Sequence, residues 1–207
     1  MGKNAMYNIS YGLYIVTSKT FKDNGCISNT AVQVTSSPNR VSVTLNKANL
    51  THDMILESGV LTISILNERA TFGLFERFGL KSGRDVDKFD GFTASRRTAN
   101  GTLYITRGTN AYISGKVCQT IDLGTHTMFI FDVEESEVFN DVPSVTYAYY
   151  QANIKPKPKA VGTDATTGQT IWRCTVCGYE YVGEELPDDF ECPLCHHPKE
   201  DFVKVVK

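Results

Sequence analysis

Two pairs of cysteines with the same spacing lie close together near the end of the sequence. Cys174 and Cys177 form the first C-x-x-C pair, and Cys192 and Cys195 form the second. A disulfide framework distributes its cysteines through a chain, whereas paired C-x-x-C turns in one short segment have the spacing of a metal site. Two such turns facing each other place four thiolates around one ion as a tetrahedron. The spacing therefore predicts a small metal-binding unit, and it suits zinc and iron alike.

The remaining cysteines and the nearby histidines are interpreted more simply. Cys26 and Cys118 lie in stretches typical of strands, and we expect both to be buried thiols. His196 and His197 directly follow the second cysteine pair. Either histidine is a conceivable ligand, but four thiolates already complete a tetrahedral shell. We therefore expect an all-cysteine site.

The composition of the chain changes after Gln151. Residues 155–159 alternate Lys with Pro, and residues 162–168 are Gly, Thr, Asp, Ala and Thr without an apolar period. Pro cannot join a helix interior or a central strand, so this stretch predicts a linker. We expect a large domain over residues 1–154, a linker over 155–170 and a small domain over 171–207.

Charge excludes some partners and suggests another. The 207 residues hold 21 Lys and Arg against 23 Asp and Glu, so no global positive field favours nucleic acid. No apolar run is long enough to span a membrane, and residues 1–18 differ from a secretory leader, which predicts a soluble, cytoplasmic protein. The small domain carries a formal charge of −4. Its acidic pairs, 184–185 and 188–189, are either solvated surface or a docking face for a basic electron-transfer partner.

The large domain is predicted to be mainly β. Residues 11–17, 41–45, 60–65 and 128–133 are short runs rich in β-branched and aromatic residues, several of them alternating with period two. They favour a barrel or a sandwich. Two helices are expected, over about 51–58, ended by Gly59, and over about 69–78, ended by Gly79.

One turn of the large domain is suited to a phosphate. The sequence contains neither a Rossmann glycine motif nor a P-loop. The strand at 41–45 instead runs through Asn46 and Lys47 into the helix that begins near Thr51. A lysine and a hydroxyl beside helix N–H groups form a possible phosphate site. The alternative is that Thr51 is the N-cap and Lys47 is an ordinary solvated side chain.

The cysteine segment resembles rubredoxin. Cys-Gly-Tyr at the first pair, Cys-Pro-x-Cys at the second and a high content of aromatic residues carry this resemblance. It implies one iron that transfers one electron at a time, although a structural zinc ribbon has the same spacing. The segment between the pairs is short for a rubredoxin, and His196 stands where rubredoxins usually have glycine.

The upstream sequence resembles the flavin reductase-like, FMN-binding split-barrel family over most of residues 5–150. The resemblance lies in residues 24–38, 41–45, 46–52 and 124–127. With the rubredoxin-like tail, the chain resembles the high-molecular-weight rubredoxin family. That implies a mainly β, FMN-binding split barrel with a few short helices, followed by a small rubredoxin-like metal domain. It also implies that NADH reduces FMN and that the iron passes electrons to a flavodiiron protein reducing nitric oxide or dioxygen.

The resemblance assigns site residues as well. The flavin edge is expected at Ser28, Asn29, Thr30 and Gln33, and the phosphate turn at Asn46, Lys47 and Thr51. The loop over residues 78–89, with Ser82 and Lys88, is expected over the flavin ring or else is ordinary surface. His126 is placed on the nicotinamide or flavin side of the pocket, or else is a strand-start histidine bound by backbone. A homodimer with FMN at the subunit interface is also implied.

Two other functions stay open at this level. The first is a two-component flavin reductase that releases reduced FMN and carries a structural zinc ribbon. The second is a flavin-sensing or scaffolding module that does not oxidise NAD(P)H.

Overall fold

The computed structural model describes residues 5–156, 170–175, 179–192 and 198–206. The chain divides into two compact units, Met1–Ile154 and Lys155–Lys207. The predicted linker lies almost wholly outside the described residues. Within the described ranges, no helix has the length and apolar character needed to cross a membrane.

One seven-stranded antiparallel sheet forms the first unit. In the order in which neighbours pair, its strands are β2 (Asp23–Ser28), β1 (Tyr14–Lys19), β5 (Val60–Leu66), β8 (Thr109–Asp122), β9 (His126–Val138), β4 (Asn39–Asn46) and β3 (Val32–Ser36). A separate hairpin joins β6 (Ser95–Arg97) to β7 (Leu103–Ile105). The mainly β architecture expected from the sequence is confirmed.

Side-chain hydrogen bonds bring β2 to β4, which lies at the other end of the sheet order before the edge strand β3. The hydroxyls of Ser28 and Thr30 both donate to the backbone carbonyl of Thr44, at 3.3 and 2.8 Å. Thr30 also accepts a hydrogen bond from the Thr44 amide at 3.3 Å. These bonds curl the sheet towards a closed barrel, and β3 remains an exposed strand at the edge of the sheet.

The central strands β1 and β5 are buried on both faces, which explains why apolar residues follow one another directly in their sequences. Ile15 and Val16 are neighbours on β1, so their side chains point to opposite faces. Val16 belongs to a first core cluster with Val43 and Phe129, and Ile15 belongs to a second cluster with Phe78. The first cluster fills the space inside the curled sheet, and the second lies under the connections that cover it.

Helix α1 (Leu50–Ser58) begins one residue before its predicted start and ends where the sequence indicates. Gly59 adopts the left-handed conformation, with φ at 71°. Its amide donates to the Ile55 carbonyl at 2.9 Å. A residue with a Cβ is strained in that conformation, so glycine ends the helix.

The second predicted helix is wrong at both ends. α2 covers only Phe72–Phe75, and a π-helical turn continues over Glu76–Leu80. Gly79 therefore lies inside the turn and does not cap it. A Cβ on Gly79 would lie 3.2 Å from Cγ1 of Ile27 on β2. The glycine therefore permits close packing of the turn on the sheet. Such a packing requirement favours glycine as helix capping does, but a local sequence pattern does not distinguish the two.

The first unit ends in a short helical segment, formed by α3 (Tyr147–Tyr149) and a π-helical turn over Tyr150–Ile154. The Tyr150 ring lies 4.3 Å from the Phe75 ring, centroid to centroid. This contact holds the segment against the second core cluster.

The second unit is a three-stranded antiparallel sheet in the order β11 (Glu180–Val182), β10 (Thr170–Cys174) and β12 (Phe202–Val206). The Phe190 ring packs edge-on between Tyr181 and Phe202, at centroid distances of 4.9 and 5.3 Å. Leu186 is also buried in the described part of this small unit, and the aromatic group supplies much of its apolar packing.

Candidate functional site

The turn after β4 is ordered by its own backbone and by the β8–β9 connection. The Asn46 side-chain oxygen accepts the Ala48 amide at 2.9 Å, and the Lys47 amide donates to the Thr125 carbonyl at 3.0 Å. Asn49 is the N-cap of α1, but its side chain makes no capping hydrogen bond. The first-turn amides of α1 are therefore not covered by a side chain, which leaves this helix end suited to an anion.

Lys47 reaches this region but is already paired. Its ammonium donates to both carboxylate oxygens of Asp122, at 2.8 and 2.9 Å. The ammonium holds the pKa of the Asp122 carboxyl below its usual value, assisted by a hydrogen bond from the Gly124 amide. The Lys47 side chain is 38% exposed and that of Asp122 is 71% exposed, so water screens the pair. An arriving phosphate can compete for this lysine.

Thr51 lies within the first turn of α1, whose N-cap is Asn49, so the alternative that Thr51 is the N-cap is wrong. It is fully buried, and its hydroxyl accepts a hydrogen bond from the Asn24 side-chain amide at 3.0 Å. Cys26, also on β2, is buried as predicted, and burial raises the pKa of its thiol. Thr51 therefore ties α1 to β2 beneath the turn, and its place in a phosphate site stays a prediction.

The loop over residues 78–89 folds back against α1. The Ser82 hydroxyl accepts the Arg84 amide at 3.1 Å, which orders the tip of the loop. The Arg84 guanidinium donates to the Asp53 carboxylate at 2.6 Å, in the first turn of α1. The structure therefore brings Ser82 to the same end of α1 as Lys47.

Lys88 differs from the exposed loop residue that the pattern suggests. Its side chain is buried, and its ammonium donates to the carbonyls of Gly25 and Phe78 at 2.9 and 3.1 Å. Burial lowers the pKa of this ammonium. The contacts give Lys88 a structural role in fixing the loop to β2, and direct contact with a cofactor stays a prediction.

A buried histidine that sequence reasoning did not single out connects these parts. His52 Nδ1 lies 2.8 Å from the Asp53 carboxylate, and its Nε2 lies 2.9 Å from the Thr127 hydroxyl on β9. Arg84, Asp53, His52 and Thr127 therefore form one chain of polar contacts across the loop, α1 and β9. Only the position of His52 directly after Thr51 could have drawn attention to it.

His126 is the first residue of β9, as the strand-start interpretation expected. The β4–β9 register places it opposite Asn46. Its Nδ1 lies 2.9 Å from the Thr125 hydroxyl, so a side chain, not backbone, is its partner. His126 thus stands beside the phosphate turn, and its assignment to the nicotinamide or flavin stays a prediction.

The predicted flavin-edge residues divide into two groups. Asn29 and Thr30 line a cavity of about 670 Å³ together with Tyr11 and Tyr147. Gln33 lies apart on the exposed strand β3, where its amide donates to the Asn39 side chain at 2.9 Å. Amide and hydroxyl groups beside aromatic rings suit the polar edge of a planar heterocycle.

Strand β4 connects the flavin-edge group to the phosphate turn. Ser28 and Thr30 hydrogen-bond to Thr44, and Asn46 begins the turn. Two residues along a strand span about 7 Å. The two groups, which lie in separate stretches of sequence, therefore meet on one strand of the sheet.

The cysteine unit presents two of its four predicted ligands within the described residues. Cys174 ends β10 and is 1% exposed, and Cys192 is 0% exposed. The Cys174 amide donates to the Tyr179 carbonyl at 2.8 Å, so these two residues lie side by side. Buried sulfurs beside an aromatic core fit a thiolate-held metal. Cys177, Cys195, His196 and His197 lie outside the described residues.

Cys118 corrects one expectation. It is exposed, although a buried thiol was predicted. The register between β8 and β9 shifts between Val117 and Gln119. Residues 118–122, at the outer end of β8, are all exposed, so both faces of the strand are solvated there.

Comparison with known proteins assigns the family. The flavin reductase-like domain matches residues 6–157, and the rubrerythrin, rubredoxin-like domain matches residues 172–203. The chain belongs to the flavin reductase-like family and carries a rubredoxin-like domain after it. The resemblance and the oxidoreductase class expected from the sequence are thereby confirmed.

Two curated relatives differ in how much of the chain they cover. The high molecular weight rubredoxin of Moorella thermoacetica is 34% identical over 99% of this chain and 100% of its own length. A ferric-chelate reductase (NAD(P)H) of Archaeoglobus fulgidus is 38% identical over 79% of this chain and 96% of its own length. The first relative therefore matches both units of the chain.

Solved structures support the fold of the first unit. The NADH:FAD oxidoreductase SgcE6 of Streptomyces globisporus is 19% identical, with a TM-score of 0.60 over 67% of this chain and 81% of that one. The flavin reductase HpaC, complexed with NADP+, is 21% identical, with a TM-score of 0.58 over 67% and 86%. At these identities the likeness concerns the fold alone.

Proposed function

We propose that the chain passes electrons from NADH through FMN to one iron held by Cys174, Cys177, Cys192 and Cys195, and then to a flavodiiron-type acceptor in the cytoplasm. The observation that carries this proposal is that one chain joins a flavin reductase-like unit to a unit with buried cysteines. A high molecular weight rubredoxin matches the chain over both units. When bound, the flavin accepts two electrons from NAD(P)H and releases them singly, and iron accepts them one at a time.

The first turn of α1 and Lys47 supply the groups that would hold the FMN phosphate. The N-cap side chain does not cover the first-turn amides, and Lys47 lies beside them in an exposed ion pair with Asp122. Arg84 and His52 fix the loop and β9 to the same helix end through Asp53 and Thr127. The protein would thus bind the phosphate at a helix terminus whose surroundings are already ordered.

Asn29 and Thr30 are the groups best placed to bind the polar edge of the flavin ring. They line the 670 Å³ cavity, whereas Ser28 hydrogen-bonds inward to β4. Since the Thr44 carbonyl holds the Thr30 hydroxyl, its orientation is set before any ligand arrives. His126 would orient the nicotinamide or the flavin without donating a proton, because hydride transfer between the two cofactors needs no general acid from the protein.

We also propose a homodimer, formed in part by the edge strand β3. Val32 and Val34 both lie on β3 and are 60% and 48% exposed. An edge strand has one side without a neighbouring strand, and exposed apolar residues on it favour contact with another chain. Light scattering at micromolar concentration should give a dimer mass for the wild type and a lower mass for Val34→Lys, and a monomeric wild type would contradict this.

The acidic pairs of the second unit remain candidates for docking to the acceptor. Glu184, Glu185, Asp188 and Asp189 are all exposed. Asp188 already pairs with Lys199 at 2.6 Å, so Asp189 and the two glutamates are the better candidates. Reduction of the acceptor protein should slow as salt increases if these groups steer docking.

An anaerobic NADH titration of the full chain, followed by visible spectroscopy with metal analysis, tests the electron route. We expect the flavin and ferric absorption to bleach with about 1.5 equivalents of NADH per chain, because FMN takes two electrons and iron takes one. Cys192→Ser should lose the iron, retain flavin reduction and need about 1 equivalent. The exposed Cys118→Ser is the matched control and should titrate as the wild type does.

The same titration separates the alternatives. Ferric colour that persists after the flavin is bleached would refute electron transfer to iron. A colourless second unit containing zinc would favour a two-component flavin reductase. Absence of NADH oxidation by the FMN-loaded protein would favour a sensing or scaffolding module.

A further inference from the structure

Three arginines line a cavity that includes none of the residues assigned to FMN or to the metal. The cavity has a volume of about 260 Å³ and is lined by Arg69, Arg77 and Arg107, with the hydroxyl-bearing residues Thr71 and Thr93. An adjoining cavity of about 440 Å³ shares Arg69, Thr93 and Arg107. We call the two cavities together the arginine pocket.

The backbone around the arginine pocket is held by contacts between three segments distant in sequence. The Asn67 amide donates to the Gly108 carbonyl, and the Thr106 amide donates to the Ala94 carbonyl, both at 2.9 Å. Gly108 has a φ of 74°, and a Cβ there would lie 2.8 Å from Leu74 Cδ1. The Arg107 turn therefore packs closely on the segment that carries Arg69. The pocket walls are fixed by the fold, not by a single flexible loop.

One arginine is held in place, and two have unused donors. Arg77 Nη1 donates to the carbonyls of Lys88 and Asp90, both at 3.1 Å, and its guanidinium lies 5.3 Å from the Phe92 ring centroid. Within the described part of the chain, the side chains of Arg69 and Arg107 form no ion pair or hydrogen bond. A guanidinium has five N–H donors, so all three residues retain donors for a ligand.

The charge balance of the arginine pocket favours an anion. Among the described residues, no carboxylate lines either cavity. Glu68 and Asp141 line a separate groove that also includes Arg69, but neither pairs with it. Arg69 and Arg107 are exposed, so water screens part of the repulsion among the three charges, and a bound anion relieves the rest. Arginine and hydroxyl donors match the oxygens of phosphate in number and geometry.

We propose that the arginine pocket binds a phosphate or diphosphate group of a small molecule. A pyridine nucleotide is the source that the proposed function supplies, and that identification rests on the proposed function. The other source is a phosphate compound other than a nucleotide, which presents the same phosphate oxygens to the arginines. The binding of phosphate itself does not depend on the electron route.

Calorimetric titration of the FMN-loaded full chain with inorganic pyrophosphate at low salt tests the pocket. We expect saturable binding to the wild type and a loss of affinity of at least about fivefold in Arg107→Gln and Arg69→Gln. Arg96→Gln is the matched control, because Arg96 is an exposed arginine outside the pocket, and it should bind within about twofold of the wild type. Absence of binding, or equal weakening by all three variants, would overturn the proposal.

Steady-state kinetics with NADH and NADPH identify the source. If Arg107→Gln raises KM for NADPH alone, the pocket binds the 2′-phosphate. If KM rises for both nucleotides at unchanged kcat, it binds the shared diphosphate. If neither changes while pyrophosphate affinity falls, the pocket binds a free phosphate compound. A wild type that binds pyrophosphate but oxidises neither nucleotide would refute the proposed function and leave the pocket standing.

Discussion

Removing the carboxylate that occupies Lys47 should strengthen FMN binding. Lys47 cannot hold a phosphate with all its donors while Asp122 accepts from it at 2.8 and 2.9 Å. Water screens an ion pair this exposed, since the side chains of Lys47 and Asp122 are 38% and 71% exposed, so the pair is weak. Asp122→Asn should therefore lower the FMN dissociation constant by about 1.4- to 5-fold. The asparagine oxygen can still accept the Gly124 amide, so the β8–β9 turn is preserved.

The double-mutant cycle makes this test specific to Lys47. Lys47→Ala should raise the FMN dissociation constant by roughly 5- to 30-fold, since it removes a charged hydrogen bond to the phosphate. In that background Asp122→Asn should have little effect, because the competing pair no longer exists. Quenching of FMN fluorescence at about 50 and about 500 mM salt measures each constant, and the Lys47 effect should shrink at high salt. Equal affinities of wild type and Lys47→Ala would refute the phosphate assignment. Persistence of the Asp122→Asn effect without Lys47 would refute the competition.

Three further substitutions test the scaffold of the site by denaturant unfolding. Gly115→Ala should destabilise the protein by about 3 kcal/mol, because its Cβ would collide with the Asp132 carbonyl oxygen. Gly73→Ala is the control and should be nearly neutral, because a Cβ there meets no atom closer than 3.9 Å. Similar losses of stability in both variants would contradict the packing. Lys88→Met should cost about 2–4 kcal/mol, since two buried carbonyls lose their donor. Burial lowers the pKa of Lys88, so the wild type should gain stability as pH rises from that folded-state pKa towards the unfolded value, and the variant should lack this gain. Asp53→Asn should cost about 0.5–1 kcal/mol at neutral pH. Its arginine and histidine partners lower the pKa of Asp53, so this difference should disappear as pH falls through the folded-state pKa.

Local patterns identified those elements whose residues carry their own signal. The alternation of apolar residues predicted the central part of β4, β5 and β9, and Gly59 marked the end of α1. The paired cysteines predicted a separate metal unit, because a tetrahedral thiolate site needs only two short turns at a suitable spacing. Such features depend on neighbours in sequence and can be inferred from it directly.

Contacts between distant segments account for what the patterns missed. Lys47 and Asp122 are 75 residues apart, and only the pairing of β4 with β9 brings their turns together. Thr51 and Lys88 are polar residues with hydrogen-bonding partners on β2. Neither their burial nor their role could therefore be inferred from the residues next to them in sequence.

The sequence by itself determined that a mainly β domain precedes a cysteine-rich unit, together with the types of residue available for a phosphate turn. The tertiary structure decided which of those residues meet. Ser28 and Thr30 reach the same strand as Asn46, and Arg69, Arg77 and Arg107 surround one cavity. The physical reason is that period and composition report local burial, whereas the closing of the sheet and the packing of its connections set long-range distances.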